Sequence, residues 1–156
     1  VFKIKLVCVG KLKEKHYRAA QSEYKKMLSR FADVEIIEVA DQPLSKSGKN
    51  TSPALAAEAE RIIPRLSGHI VTCEIEGRQM TSEAFSAYVR NCMDSGAGEL
   101  CFVIGGSAGL SAEIKARANL ALSFSAMTMP HRLFRIVLLE QIYRAFKILS
   151  GETYHK

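Results

Sequence analysis

The sequence predicts an α/β protein, a mostly parallel sheet flanked by helices, and three observations carry that prediction. Short apolar runs alternate with stretches of helical periodicity from end to end, as in a parallel sheet held between helical layers. Two loops rich in small residues, Ile104-Gly-Gly-Ser-Ala-Gly109 and Ser123-Phe-Ser-Ala-Met-Thr-Met-Pro-His131, each leave an apolar strand and lead into a helix. With 156 residues, 47% of them hydrophobic, the chain is long enough for one well-buried core and too short for two ordinary domains. Residues 1–156 are therefore expected to form a single domain.

Each element has its own signal. Residues 2–9 alternate Lys with apolar residues and then turn wholly apolar, which reads as a strand. Residues 12–31 read as a helix. Residues 34–39 (Val-Glu-Ile-Ile-Glu-Val) form a second strand, followed by a polar loop from Asp41 to Ser52 that contains Pro43 and Gly48. Ser52-Pro53 has the form of an N-cap and an N1 proline, so a helix is expected over 54–66, bent or frayed near Pro64. His69 to Glu76 reads as a strand, and Thr81 or Ser82 caps a helix that runs to about Asp94. Leu100 to Ile104 is a short apolar strand of the buried parallel type. Ser111 caps the next helix, Leu120 to Phe124 is the last strand, and a long helix over about 131–150 ends at Gly151, in the position of a C′ glycine.

Charge is distributed unevenly. The net charge is +6, yet residues 1–30 hold nine Lys or Arg against Glu14 and Glu23, so the remainder is close to neutral. At ~100° per residue, Lys11, Lys15, Arg18, Lys25 and Lys26 share one helix face, and Tyr17, Ala20, Tyr24, Met27, Leu28 and Phe31 share the opposite one. Such a cationic face is either simply solvated or made for an anionic polymer such as RNA.

No apolar run approaches the roughly 20 residues that span a bilayer, and the first nine residues lack the continuous apolar stretch of a signal peptide. A soluble cytoplasmic protein without a membrane partner is expected. Cys8, Cys73, Cys92 and Cys101 form no CxxC pair, and three of them lie within apolar strand runs. They are expected to be free thiols in a reducing compartment, with no metal site.

The two small-residue loops are the candidate ligand site. Loops at the carboxyl ends of parallel strands are where ligands settle in open α/β sheets, and glycine permits close approach to the backbone. The loop at Gly105 lacks the Lys-Ser/Thr ending of a P-loop, which argues against ATP or GTP hydrolysis. It also lacks the GxGxxG spacing, and no acidic residue ends the following strand, so a nucleotide-dependent oxidoreductase is only a distant alternative.

Several segments together resemble one family along the whole chain. Val9-Gly-Lys-Leu-Lys-Glu-Lys15, Glu35-Ile-Ile-Glu-Val-Ala-Asp41, Glu74-Ile-Glu-Gly77, Phe102-Val-Ile-Gly-Gly-Ser-Ala-Gly-Leu110, Leu122-Ser-Phe-Ser-Ala-Met-Thr-Met-Pro-His131, Glu140-Gln-Ile-Tyr-Arg-Ala-Phe-Lys147 and Tyr154-His-Lys156 are similar to the ribosomal large subunit methyltransferase H family. That family belongs to the SPOUT class. The resemblance implies a C-terminal trefoil knot, an S-adenosylmethionine site within it, a homodimer, and methylation of N3 of a pseudouridine in 23S rRNA on the assembled ribosome. The alternative is a non-catalytic RNA- or ribosome-binding module of the same fold.

Carried over by position, the resemblance places cofactor contacts at Cys73, Gly105, Phe124, Ser125, Ala126, Met127, Thr128 and Met129, with Cys73 standing where the family has Leu. Core filling is the competing role for the Met127 and Met129 side chains. The resemblance also assigns the tail to the active region of the partner protomer. There His155 is a candidate base, Tyr154 a candidate for stacking on the substrate base, and Arg144 or Lys156 a candidate to stabilise the deprotonated imide. His131, directly after Pro130, reads as a cap or loop contact.

The last helix raises two further questions. Its wide apolar face, Leu138, Leu139, Ile142, Phe146 and Leu149, is large for so small a chain and suggests a dimer. Arg135 projects into the middle of that face, where a guanidinium needs a partner. Pairing across a subunit interface, capping a carbonyl, holding the cofactor carboxylate and holding an RNA phosphate all remain open. Glu140 and Arg144, four apart on the other side, read as a helical ion pair.

Overall fold

The computed structural model describes residues 1–44 and 50–154, so Gly48, His155 and Lys156 lie outside the described residues. Five strands, β1 (Lys3–Val9), β2 (Asp33–Val39), β3 (His69–Gln79), β4 (Glu99–Ile104) and β5 (Leu120–Ser123), form one parallel sheet in the order β2-β1-β4-β3-β5. The helices are α1 (Lys15–Leu28), α2 (Ser52–Ile62), α3 (Ser82–Asp94), α4 (Ala112–Ala116) and α5 (His131–Leu149). A 3₁₀ turn at Ile63–Arg65 extends α2 where Pro64 was expected to bend it.

The period-two alternation of the strands divides the core between two faces. Ile4, Leu6 and Cys8 of β1 and Leu100, Phe102 and Ile104 of β4 join the larger cluster, beneath α1, α3 and α5. Val7, Val9, Cys101 and Val103 face the smaller one, with Ala59 and Ile62 of α2 and Ile114 of α4. Burial on both faces explains why these strands read as continuous apolar runs. The four cysteines are free. No helix among the described residues is long and apolar enough to cross a membrane.

Three expectations need correction. The first helix begins at Lys15 and not at residue 12, because Gly10 turns the chain at φ +93° and the Leu12 amide is held at 3.1 Å by Glu38 Oε2. Lys11 therefore belongs to the loop before α1. The N-cap of α2 is Thr51, one residue before Ser52, and its side chain makes no capping bond. The apolar face of α5 is consumed within the chain: Leu138, Leu139 and Ile142 are fully buried, and α1 and α3 pack over them. Phe31 stacks on Phe146 at 5.5 Å, and Ser86 Oγ donates to Ala145 O at 3.0 Å. That face supplies no argument for a dimer.

Arg135 finds its partners inside the chain. Its side chain is 1% exposed, with Nη1 donating to Glu38 Oε2 at 2.6 Å and to Gln21 Oε1 at 3.0 Å, and Nη2 donating to Gly10 O at 3.2 Å. One guanidinium thereby ties β2, α1 and the β1–α1 loop to α5. Arg132 adds a second tie to the same loop through Glu14 at 2.7 Å. Burial works against ionisation of Glu38, but the Arg135 hydrogen bond, the Leu12 amide and the charges of Arg135 and Lys11 outweigh it and hold the carboxyl below its usual range. The stabilisation is therefore present above the ordinary carboxylate pKa of about 4.3 and lost as pH falls through the lower folded-state value.

Glu38→Gln should destabilise the fold by about 3 kcal/mol, since the guanidinium stays buried with only neutral partners. Urea denaturation of the variant should also show a shallower acid-side loss of stability than the parent. An unchanged midpoint would mean that water replaces the carboxylate at no cost.

Candidate functional site

A cavity of about 350 Å³ opens where β4 and β5 end, beside the middle of β3, within the size range of small-molecule sites. Its wall draws on the loop after β4 (Gly105, Gly106, Gly109, Leu110), the loop after β5 (Phe124, Ser125, Met127, Met129), the start of α5 (His131, Phe134) and a stretch of β3 (Cys73, Glu74, Ile75, Glu76). Six of the eight expected cofactor residues therefore share one wall; Ala126 and Thr128 are exposed in the same loop but do not line it.

Backbone geometry explains how the cavity arises. β3 pairs with β5 in one register up to Cys73↔Leu122, and Arg78 then pairs with the same Leu122, so residues 74–77 leave the ladder as an excursion beside the cavity. Gly77 makes this possible, because a Cβ there would lie 2.7 Å from the carbonyl carbon and oxygen of Ala121. Glu74 anchors the excursion: Thr72 Oγ1 donates to Glu74 Oε2 at 2.6 Å, and Lys115 Nζ lies 3.4 Å from Oε1. Sequence reasoning took residues 69–76 as plain strand and assigned no role to Glu74, Ile75, Glu76, Leu110 or Lys115. The available signal was Gly77 itself, since glycine inside a strand pattern often marks a bulge or a close backbone approach.

Gly105 also needs to be glycine, for a reason other than ligand approach. A Cβ at this position would stand 2.4 Å from Gly109 O, because the loop folds back on itself. Gly109 itself adopts φ +82°, and the Gly106–Gly109 bridge closes the turn with a 3.1 Å hydrogen bond. The loop after β5 is fixed by serines: Ser123 Oγ donates to Ser125 O at 3.2 Å, and Ser125 Oγ accepts from Met127 N at 3.0 Å. This turn leaves Met127 78% exposed, which rules out core filling for its side chain. Met129 is half-buried in the wall. Phe124 packs edge-on against Phe134 at 4.9 Å and supplies an aromatic wall.

The wall is chemically mixed. Leu110, Leu122, Phe124, Phe134, Met127 and Met129 are apolar, while Glu74 and Glu76 are acidic. Desolvation, with added repulsion from Cys8 and Glu74, holds the Cys73 thiol far above its usual range, so it serves as a small apolar surface and not as a nucleophile. Desolvation also lowers the His131 pKa, and the charges of Arg132 and Arg135 lower it further against Asp41 and Glu14. No group of three or more His, Cys, Asp or Glu among the described residues is placed to hold a metal ion.

The remaining expected residues lie elsewhere. Tyr154 packs edge-on against Tyr143 at 5.0 Å, and the Arg144 guanidinium lies 4.9 Å from the Tyr154 ring centroid. Arg144 Nε donates to Glu140 Oε1 at 2.9 Å, the helical pair that the spacing predicts. At 1.5 Å per residue along α5, Arg144 stands about 20 Å from His131, so a single chain does not bring this group to the cavity. Lys11, Lys15, Arg18, Lys25 and Lys26 are all exposed, and none makes a salt bridge among the described residues. Lys11 lies nearest the cavity, since the adjacent Gly10 packs against His131.

Gly77→Ala and Gly105→Ala should each force backbone apart and cost about 1–3 kcal/mol in thermal or urea denaturation. Gly98→Ala is the control: nothing lies within 4 Å of the added Cβ, so its cost should be limited to the backbone strain of its own positive φ, about 1 kcal/mol. Equal losses at all three positions would contradict the close approaches described above.

Comparison with known proteins agrees with this geometry. A family model described as a predicted SPOUT methyltransferase matches residues 2–155. The Ribosomal RNA large subunit methyltransferase H of Streptococcus gordonii is 49% identical over 158 residues, covering 99% of each chain. The protein of the same name from Bifidobacterium animalis subsp. lactis is 50% identical over 157 residues, 98% of this chain and 99% of its own. Among solved structures, a probable methylase family protein from Haemophilus influenzae Rd KW20 matches with a TM-score of 0.54 at 15% identity, covering 98% of this chain and 70% of its own, which shows a shared fold. The chain belongs to the SPOUT methyltransferases, in the ribosomal RNA large subunit methyltransferase H family.

Proposed function

We propose that this chain transfers a methyl group from S-adenosylmethionine to N3 of a pseudouridine in 23S rRNA on the assembled ribosome. The observation that carries the proposal is the cavity itself: in a chain of this family, the β4 and β5 loops and the β3 excursion converge on one pocket at the carboxyl ends of the strands. Both relatives described above are named for rRNA methylation. The family also implies a trefoil knot in the C-terminal part, in keeping with a single domain over residues 1–156.

The wall suits the cofactor. Leu110, Leu122, Phe124 and Met129 offer an apolar surface of the kind an adenine ring requires, with Cys73 as a small neighbour. The loop from Phe124 through Ser125, Ala126, Met127 and Thr128 to Met129 is held in shape by Ser123 and Ser125, and with the loop at Gly105 it would border the cofactor. Glu74 and Glu76 bring negative charge toward a cationic ligand. When bound, S-adenosylmethionine supplies an electrophilic methyl group, and the protein's task is to hold the accepting nitrogen in line with it and take up its proton.

The substrate side is assigned to a second copy of the chain. Tyr154 and Arg144 form an aromatic and cationic group about 20 Å along α5 from the cavity, so they serve a cavity only if it is a partner's. In a homodimer, one protomer's Tyr154 and Arg144, followed by His155 and Lys156, would complete the other's pocket by stacking on the base and stabilising the deprotonated imide. Lys11, Lys15, Arg18, Lys25 and Lys26 would hold rRNA phosphates and position it without reading sequence. Such a protein works in the cytoplasm.

Calorimetry should show one S-adenosylmethionine site per chain, and methyl-labelled cofactor should mark 23S rRNA in intact ribosomes at one pseudouridine by mass mapping. Cofactor binding without transfer to ribosomes, under conditions where the protein sediments as a dimer, would instead support a non-catalytic module. Replacing Lys15, Arg18 and Lys25 together by Glu should weaken ribosome binding and reduce its logarithmic salt slope by about 2–3, with cofactor affinity unchanged. Ribosome binding that keeps its affinity and slope would leave α1 a merely solvated face.

A further inference from the structure

The reaction proposed above releases a proton from the accepting nitrogen, and among the described residues the cavity wall contains one imidazole. His131 opens α5 and lines the cavity beside Gly105, Met127 and Met129. Its ring is set by the β1–α1 loop: a Cβ on Gly10 would lie 3.3 Å from His131 Cε1, so the left-handed glycine at φ +93° leaves just enough room for the imidazole. That loop is in turn fixed to α5 by Arg135 through Gly10 O and by Arg132 through Glu14. A buried guanidinium–carbonyl hydrogen bond and a half-buried ion pair thus hold this loop against the imidazole. Nothing among the described residues bonds to it. Neither ring nitrogen has a hydrogen-bond partner there, and neither is sealed as a buried unsatisfied atom, so both are open for a ligand.

On the basis of the proposed methyl transfer, we propose that His131 is the proton acceptor for the substrate nitrogen. His131 takes the N3 proton as N3 forms its bond to the methyl carbon; the bond from that carbon to the sulfonium sulfur breaks, and sulfur keeps the electron pair. The imidazolium then returns its proton to water. The groups facing the ring suit this cycle. Burial disfavours the charged ring most, Arg132 and Arg135 on α5 add to that, and Asp41 and Glu14 limit the effect; across the cavity Glu74 is already occupied by Thr72 and Lys115. The ring is therefore an open base at neutral pH. Arg144 and Tyr154 then serve to hold the substrate base, and the proton is taken up by the protomer that holds the cofactor.

The test compares the full-length protein with His131→Asn on intact ribosomes, after the parent has been shown to methylate them. The variant should bind S-adenosylmethionine within about threefold of the parent by calorimetry, while its turnover at pH 7 falls about a hundredfold. Its rate should climb about tenfold per pH unit toward the pKa of the free imide, where the parent's rate is flat. In the parent, the His131 ring resonance should titrate below the usual histidine value by NMR, independently of activity. His131→Gln serves the same purpose if the Asn variant fails to fold. Turnover equal to the parent, a pH profile parallel to it, or a loss confined to cofactor affinity would each overturn the assignment. His155→Asn is the companion variant: if it alone flattens or shifts the pH profile, the base belongs to the tail. A parent that binds cofactor but methylates no rRNA would defeat the functional reading instead.

Discussion

The fold depends on one buried charge. Arg135 is 1% exposed in the middle of an otherwise apolar helix face, a position that would be prohibitive without compensation. Its compensation comes from three separate pieces of chain: the β2 carboxylate of Glu38, the amide side chain of Gln21 in α1 and the carbonyl of Gly10 in the β1–α1 loop. Apolar packing alone lets α5 slide or rotate over the sheet at little cost. A guanidinium with three directional partners does not, because any shift strands a buried charge. The same contacts decide where α1 starts, since Glu38 also accepts the Leu12 amide and keeps residues 10–14 out of the helix.

From that fixed frame the cavity follows. The loop pinned by Arg135 and Arg132 sets one side of His131; the other walls come from two backbone approaches that only glycine permits, Gly77 on Ala121 and Gly105 on Gly109. Each of these glycines makes room for backbone, and the ligand space is what remains once backbone has closed on backbone. Such a pocket is held in shape before anything binds, which limits the ordering cost of binding.

Much of this was legible in the sequence. Element order and parallel pairing follow from Leu100–Ile104 and its neighbours being apolar on both faces. The two loops at Gly105 and Phe124 stood out because small residues followed strands. What was not legible depends on contacts distant in sequence. The 74–77 excursion is set by β5, some 45 residues on, and only Gly77 hinted at it. Gly105 read as an opening for ligand because the return of Gly109 onto it is a property of the folded loop. Arg135 was visible as an anomaly, but its partners lie 97 to 125 residues away, so periodicity offered a problem without its answer. The apolar face of α5 suggested a partner subunit for the same reason: its cover comes from α1 and α3, which sequence proximity does not reveal.

The positions of the two chemically equipped regions then imply a division of labour. The cavity holds apolar walls, fixed loop amides and His131, but its only described cation, Lys115, is engaged with Glu74. A polyanionic substrate must therefore be held by charges outside it. Those charges lie in two places: at Lys11 in the loop before α1 and onward along α1, and at Arg144, paired with Glu140 beside an aromatic ring about 20 Å along α5. In the proposed reaction the first set would serve the pocket beside its own loop. The second is too distant for its own chain's pocket, and its aromatic partner is of little use to a phosphate but well suited to a base. In the proposed reaction a second copy would close that gap, so dimerisation would be part of the active site's construction and not an aid to stability.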